Sequence, residues 1–276
     1  MPRIPETYRR DFDSLEECVS FAASEPTGAV RRASREDGSR DWNGNVDFAG
    51  AVALTQTGWV DGVNRMRAIA DRIYDRIAPH VSTFMNTELA VTGAGVDIGA
   101  YVSGEPECML EFVASEVRRV RHVDIVVNVI AMGCVPADAI VNRGAAILAC
   151  IEALEHAGCT VAVTAIAAAV DHDTRYDFRI ALKAPGVPMD TDRLAFVLSH
   201  PAMLRRILFG CIENMPKFFA QTFTANGYGS AAEIEPDSGA AYFRQAQSND
   251  SDESGATERA LEVLHTNGLL NDDSTC

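Results

Sequence analysis

Apolar residues recur along this chain with two different periods, and the changes of period mark its elements. Val63, Met66, Ile69, Ile73 and Ile77 stand three and four apart, which predicts an amphipathic helix ended near Pro79. Just before it, "FAGAVALTQT" follows Asn45 and Asp47, either of which can cap a helix, and places Phe48, Ala51, Val52 and Leu54 near one face. Gly58 stands where a C-cap glycine belongs, Trp59 and Val60 turn the chain, and Asp61 can cap the next helix. The stretch therefore predicts an αα-hairpin, with Trp59 filling the gap between its helices and Trp42 packing back onto it. Upstream, Ser14-Leu15-Glu16-Glu17 is a capping box that opens a short helix to about Ala23. Residues 24–46 have no period and many turn formers, and are expected to be a loop or linker.

From Arg121 the pattern changes. "VDIVVNVIAM", Val123 to Met132, is a β-branched apolar run, as in a strand buried on both faces. "VPADAIVNRGAAILACIEALEHAG" then predicts a long helix, with Pro136 in its first turn, Gly158 at its end and Ile140, Ile147, Leu148, Ile151 and Leu154 on its core face. "CTVAVTAIAAAV" is a second buried strand, which completes a βαβ unit. "DHDTRYDF" turns the chain into a third strand, antiparallel to the second. Asp190 starts a helical region in which Pro201 begins a new segment. Residues 225–256 lose periodicity, and a last helix runs from about Ala256 to Asn267 before Gly268. The expected class is α/β: a helical N-terminal part, then a mixed, mostly parallel sheet flanked by helices. The expected divisions are 1–46 (helix and linker), 47–115 (hairpin and glycine-rich turns), 116–230 (α/β) and 231–276 (acidic tail with one helix).

Charge narrows the partners. The net charge is -15, so binding of nucleic acid through the whole surface is not expected. The candidate basic patch, Arg31, Arg32, Arg35 and Arg40, is interleaved with Glu36, Asp37 and Asp41 and reads as a solvated mixed-charge linker. From Glu233 onward ten acidic and two basic residues give a net of -8, which predicts a loose tail. The seven cysteines are odd in number and show no C-x-x-C pair, which argues against a disulfide framework and a structural zinc site. No apolar leader is seen at the N-terminus, and the longest uncharged apolar stretch, Ala157 to Val170, is too short to span a bilayer, which takes roughly 20 residues. A cytosolic protein is expected.

Few residues carry candidate chemistry. Cys134 lies past the end of a buried strand and before a helix N-terminus, the edge where open α/β sheets place their sites. It is the candidate catalytic residue, as a nucleophilic or redox thiol, against a plain reading as a small residue in a tight turn. Gly93, Gly95 and Gly99 suggest a dinucleotide loop, but Gly104 and Pro106 follow too soon for the long helix that such a loop must open. Tight turns are expected there, with Asp97 capping a short helix that Gly104 ends. Asp171, His172 and Asp173, with Asp177 nearby, could hold a metal, but they fall at a hairpin tip where Asp is a good turn residue. His122 and Asp124 share one face of a strand and can hydrogen-bond to each other; Glu105 and Glu107 flank Pro106 as a possible carboxylate pair. No cofactor and no metal ligand is assigned.

The order β, long α, β, antiparallel β, α over about residues 120–215 resembles a von Willebrand factor A-type domain. In those domains the first strand ends in Asp-x-Ser-x-Ser, whose oxygens hold a divalent ion. Here Asn128, Ile130 and Met132 stand at those positions, so the resemblance implies a scaffold with a degenerate, metal-free site. The stretches "W-x-G-x-x-x-F-x-x-A" (Trp42 to Ala51), "G-W-x-x-G" (Gly58 to Gly62), "D-I-G-A-Y-V-S-G-E-P-E-C-M" (Asp97 to Met109) and "R-G-A-A" (Arg143 to Ala146) are similar to an uncharacterised family of bacteriophage and prophage genomes. That resemblance implies a genomic setting and no mechanism. Together these readings predict a non-enzymatic accessory or structural protein that acts through a protein partner or self-assembly. The alternative is a thiol-dependent enzyme that uses Cys134.

Overall fold

The run that ends at Asn128 is a strand inside a mostly parallel sheet, and the long helix after it is buried nearly all round. The computed structural model describes residues 6–26, 28, 30–36, 41–74, 81–118, 121–232, 234 and 239–270, with side chains excepted at 70–87 and 112–120. In chain order the elements are β1 (Glu6–Phe12), α1 (Leu15–Ala23), α2 (Phe48–Thr57), α3 (Val60–Tyr74), β2 (Val81–Ala90), β3 (Gly95–Val96), α4 (Ile98–Val102), β4 (Met109–Arg118) and β5 (His122–Asn128). They continue with α5 (Ala137–His156), β6 (Thr160–Asp171), β7 (Thr174–Lys183), α6 (Thr191–Ser199), a π-helix (Met203–Leu208), α7 (Phe209–Glu213), α8 (Lys217–Ala225), β8 (Ser230–Ala231), β9 (Ala241–Phe243), a 3-10 turn (Ser248–Ser251) and α9 (Glu253–Thr266).

The main sheet has the order β1-β7-β6-β5-β9, with β8 paired to β6. β5 is parallel to β6 and to β9, β1 is parallel to β7, and β6 and β7 form an antiparallel hairpin. The α/β class and the βαβ unit expected from the sequence are therefore observed. β5 is shorter than the apolar run that predicted it: the Asn128 side chain accepts from the backbone N–H of Ile130 at 3.1 Å, offering the chain a local partner in place of the ladder. α5 is buried without a break from Ala139 to Ile151, because α3, α6 and α9 cover the faces the sheet does not. It ends as expected, with Gly158 at φ 92° and the Cys159 N–H returning to the Leu154 carbonyl.

Two expectations are corrected. The described part of the acidic C-terminal segment is no loose tail: β9 extends the sheet beside β5, and Leu261, Leu264, Leu269 and Leu270 of the last helix and its end join the core, while Glu233, Glu235, Asp237, Asp272 and Asp273 lie outside the described residues. Its acidic residues are compatible with this because the apolar face of α9 lands on α5, and its charges stay outside. Trp42, expected to pack on the α2–α3 hairpin, makes its ring contact with α7 and its hydrogen bond with the turn before α5. Its ring lies 6.0 Å from that of Phe209, and its indole N–H donates to the Gly133 carbonyl at 3.1 Å.

The hairpin itself forms as read, with Asp47 capping α2 through the Gly50 N–H and Val63, Met66 and Ile69 buried; Ile77 lies outside the described residues, as does the side chain of Ile73. Trp59 at its hinge meets the end of α6, edge-on to His200 at 4.7 Å, while its backbone N–H donates to the Asp192 carbonyl. β1 and the three-stranded antiparallel sheet β2-β4-β3 were not anticipated. Among the described residues no single helix is long and apolar enough to cross a membrane; α6 with the π-helix and α7 has the composition but bends by 68° and is buried in the core.

Candidate functional site

β9 lies on one side of β5 and β6 on the other, so the chain's connections diverge at the carboxyl end of β5. Open α/β sheets bind ligands at such a point. Arg143, two turns into α5, reaches back to it. Its Nη2 donates to the carbonyls of Asn128 and Phe243, both at 3.2 Å, and to that of Arg244. One buried cation thus ties together the ends of β5 and β9. Burial lowers its pKa to about 10, with Asp250 acting in the opposite direction, so it stays charged at neutral pH. Asn128 donates from Nδ2 to the Tyr242 hydroxyl at 3.3 Å across the same two strands. Beside them a cavity of about 560 Å³ opens between β9, α5 and α9, lined by Arg143, Tyr242, Arg244, Arg259 and Val263 among others.

Cys134 is exposed in the turn between β5 and α5 and does not line this cavity. No hydrogen bond joins its thiol to a base among the described residues. The turn itself is held from outside, by Trp42 on the Gly133 carbonyl and by Arg205 on the Val135 carbonyl at 2.7 Å. Glu105 and Glu107 are exposed beyond α4, and Asp171 ends β6, where it accepts from Asn226 at 2.8 Å and contacts the His172 ring at 2.7 Å. No hydrogen bond or ion pair among the described residues links these carboxylates to each other or to Cys134. His172 and Asp173 are the two turn residues of the β6–β7 hairpin, and His172 has φ 50°. Asp177 is taken by Arg175 at 2.8 Å and Arg9 at 3.5 Å. His122 and Asp124 do form the hydrogen bond their spacing allows, at 2.9 Å. Among the described residues no three His, Cys, Asp or Glu side chains cluster as metal ligands would.

Further buried charges that sequence reasoning missed lie on the π-helix and α7. Arg205 donates to the carbonyls of Trp42 and Val135 and stacks over the Trp42 ring, 4.2 Å from its centroid. Burial brings its pKa down to about 10. Arg206 donates to the carbonyls of Ala33, Ser34, Glu36 and Val46. Glu213 accepts from the Ser34 N–H and hydroxyl and, at 2.7 Å, from Tyr228. The described residues of the aperiodic linker are thus coil and turns, pinned to the core by a buried acid and two buried arginines. Its own arginines are occupied: Arg31 with Glu36, Arg32 with Glu25, and Arg35 over the Phe48 ring at 3.5 Å. Arg40 lies outside the described residues.

The sheet β2-β4-β3 forms an arm whose end is apolar and exposed. Asp97 caps α4 through the Ala100 N–H, and Gly104 (φ 74°) ends it, as read from the sequence. Ile98, Tyr101 and Val102 on this one helix are 75%, 67% and 78% exposed, and Val91, Leu89 and Val96 beside it are exposed too. Gly93 fits only as glycine, since a Cβ there would stand 2.3 Å from the Leu110 carbonyl oxygen, so this glycine serves the close approach of two strands.

A family model described as a domain of unknown function, DUF7192, matches residues 2–271. The chain belongs to this family. The DUF7192 match includes both the arm and the C-terminal acidic segment, in line with the integration of β9 and α9 into the fold. No curated protein and no solved structure matches the chain.

Proposed function

We propose that this DUF7192 chain is a non-enzymatic accessory protein that works by protein–protein contact, on an A-domain-like scaffold that has no metal site. The observation that carries this reading is the arm: an apolar end exposed on three successive elements, with no residue between 88 and 111 in the core. Patches of this kind mark interaction sites. The order β5, α5, β6, antiparallel β7 supports the A-type likeness. The residues that stand at the ion-binding positions do not fit an ion. Asn128 spends its oxygen on the Ile130 N–H, Ile130 is buried and apolar, and Met132 offers only a soft thioether. Arg143 puts a fixed positive charge on the adjoining carbonyls, which repels a cation and supplies the charge that an ion would otherwise bring. The phage-type setting rests on the motif resemblance of Trp42 to Ala146 alone.

The partner that fits the arm is a basic, amphipathic segment of another protein. Residues 88–111 hold Glu88, Asp97, Glu105, Glu107 and Glu111 and no basic residue, so two arm ends meeting face to face would repel. The test is fluorescence anisotropy of a labelled Lys/Leu amphipathic peptide and its Glu/Leu counterpart against the full chain. Binding of the basic peptide alone, weakened at least tenfold in Ile98→Ser/Val102→Ser but not by a matched pair of surface changes on α9, supports the reading. Equal binding to that arm variant overturns it, and so does self-association through the arm in sedimentation with no peptide binding. A thiol reaction at Cys134 remains the alternative, favoured by its exposed place at the strand-to-helix turn and opposed by the lack of a bonded base. Alkylation of Cys134 at neutral pH no faster than that of a cysteine peptide would remove it.

A further inference from the structure

The cavity beside Arg143 has features that packing alone does not require. It holds about 560 Å³, within the range of small-molecule sites. Its lining combines two chemistries. Ile147, Ala256, Ala260 and Val263 form an apolar wall from α5 and α9, while Arg143, Tyr242 and Arg244 come from the switch point of the sheet. Arg143 is more than nine-tenths buried, yet all three of its hydrogen bonds leave from Nη2. Nε and Nη1 of the same guanidinium have no acceptor among the described residues. Arg244 lends its carbonyl to Arg143, but its own guanidinium makes no hydrogen bond or ion pair there. The other buried charge, Asp250, is already satisfied by Arg259 and by the Gln247 N–H at 2.7 Å. Three arginines against Asp250 and Glu262 leave the lining with one net positive charge, in a chain whose net charge is -15.

We propose that this cavity binds a small organic anion, with its carboxylate or phosphate on Arg143 and Arg244 and its apolar body against Ile147, Ala260 and Val263. A buried guanidinium with unused donors matches planar anions and excludes water from the contact. The apolar wall adds a body that inorganic anions lack. The site stands on residues other than the arm, so neither proposal depends on the other.

The test is thermal unfolding and calorimetric titration of the full chain with benzoate, benzamide, adenosine monophosphate, adenosine and inorganic phosphate. A saturable rise of several degrees with benzoate or adenosine monophosphate, absent with the neutral benzamide and adenosine, is expected at about a hundred times Kd. Which of the two acts distinguishes a carboxylate from a phosphate site. Arg244→Gln, at an exposed position that leaves the fold intact, should weaken binding about tenfold or more. Ala260→Leu should block the organic anions by filling the apolar end. No rise with any anion, an equal rise with the neutral analogues, a response to inorganic phosphate only, or unchanged affinity in both variants would each overturn the proposal.

Discussion

At Gly144 a Cβ would stand 2.2 Å from the Leu198 carbonyl oxygen and 2.5 Å from the Cα of Ser199. In a free helix, replacing glycine by alanine gains about 1 kcal/mol. Here the methyl group meets backbone, which cannot rotate away, and α5 must move off α6. Gly144→Ala should therefore destabilise the chain by about 2 kcal/mol in urea unfolding, the sign opposite to propensity. A stabilised variant would show that α5 and α6 do not approach so closely. His200, at the end of α6, is the residue with the clearest pH signature. Desolvation lowers its pKa to about 4, and its Nδ1 accepts from the Ala202 N–H at 3.1 Å, which requires a neutral ring. The unfolded chain protonates this histidine near 6.5, so its contribution is present at neutral pH and is lost as pH falls from 6.5 through 4. The wild type should lose up to about 3 kcal/mol more than His200→Gln over that interval. Parallel pH curves for the two would contradict the assignment. Little of this could be seen in the sequence. Gly144 lies in the "R-G-A-A" stretch and His200 before Pro201, but a close approach or a dry pocket is a property of what another segment brings.

The elements divide by how much of their stability is local. α5 and β6 were legible because their own residues state their surroundings: the apolar face of a long helix and an apolar strand run belong in a core, and β7 followed from the turn at Asp171 to Asp173. α4 and its cap were legible because Asp97 and Gly104 act within one turn. β1 was not, since "ETYRRDF" carries four charged residues on an edge strand and is ordered by pairing with β7. β9 is three residues long, too short for any period to register, and is ordered by β5. The linker shows the same dependence. Ser34 is fully buried because Glu213, itself 2% exposed, accepts from its N–H at 2.9 Å and its hydroxyl at 2.5 Å. Glu213→Gln turns one of three accepted bonds into a clash of donors and should cost about 2 kcal/mol. Proteolysis should then cut near residues 31–36 first, and cutting no faster than in the wild type would contradict the clasp.

In the whole molecule, charge and composition pointed the wrong way once. The density of acid after Glu233 suggested disorder, yet only the face of α9 that meets α5 has to be apolar. The absence of hard oxygen ligands at Ile130 and Met132 was readable, but the cation that closes the edge was not: Arg143 stands fifteen residues from Asn128 in the chain and reaches it only through the fold of the βα unit. Cys134, the residue singled out from the sequence, lies in the adjoining turn and outside the cavity. The proposed metal-free scaffold thus rests on Arg143, which ties the ends of β5 and β9 together. The most direct measurement is the Tm of the full chain after EDTA treatment, and again with excess Mg²⁺ or Mn²⁺, for the wild type and Arg143→Met. The account predicts one Tm for the wild type in all three conditions and a large fall in the variant that metal does not restore. A rise of several degrees in the wild type on adding either ion, reversed by EDTA, would contradict it.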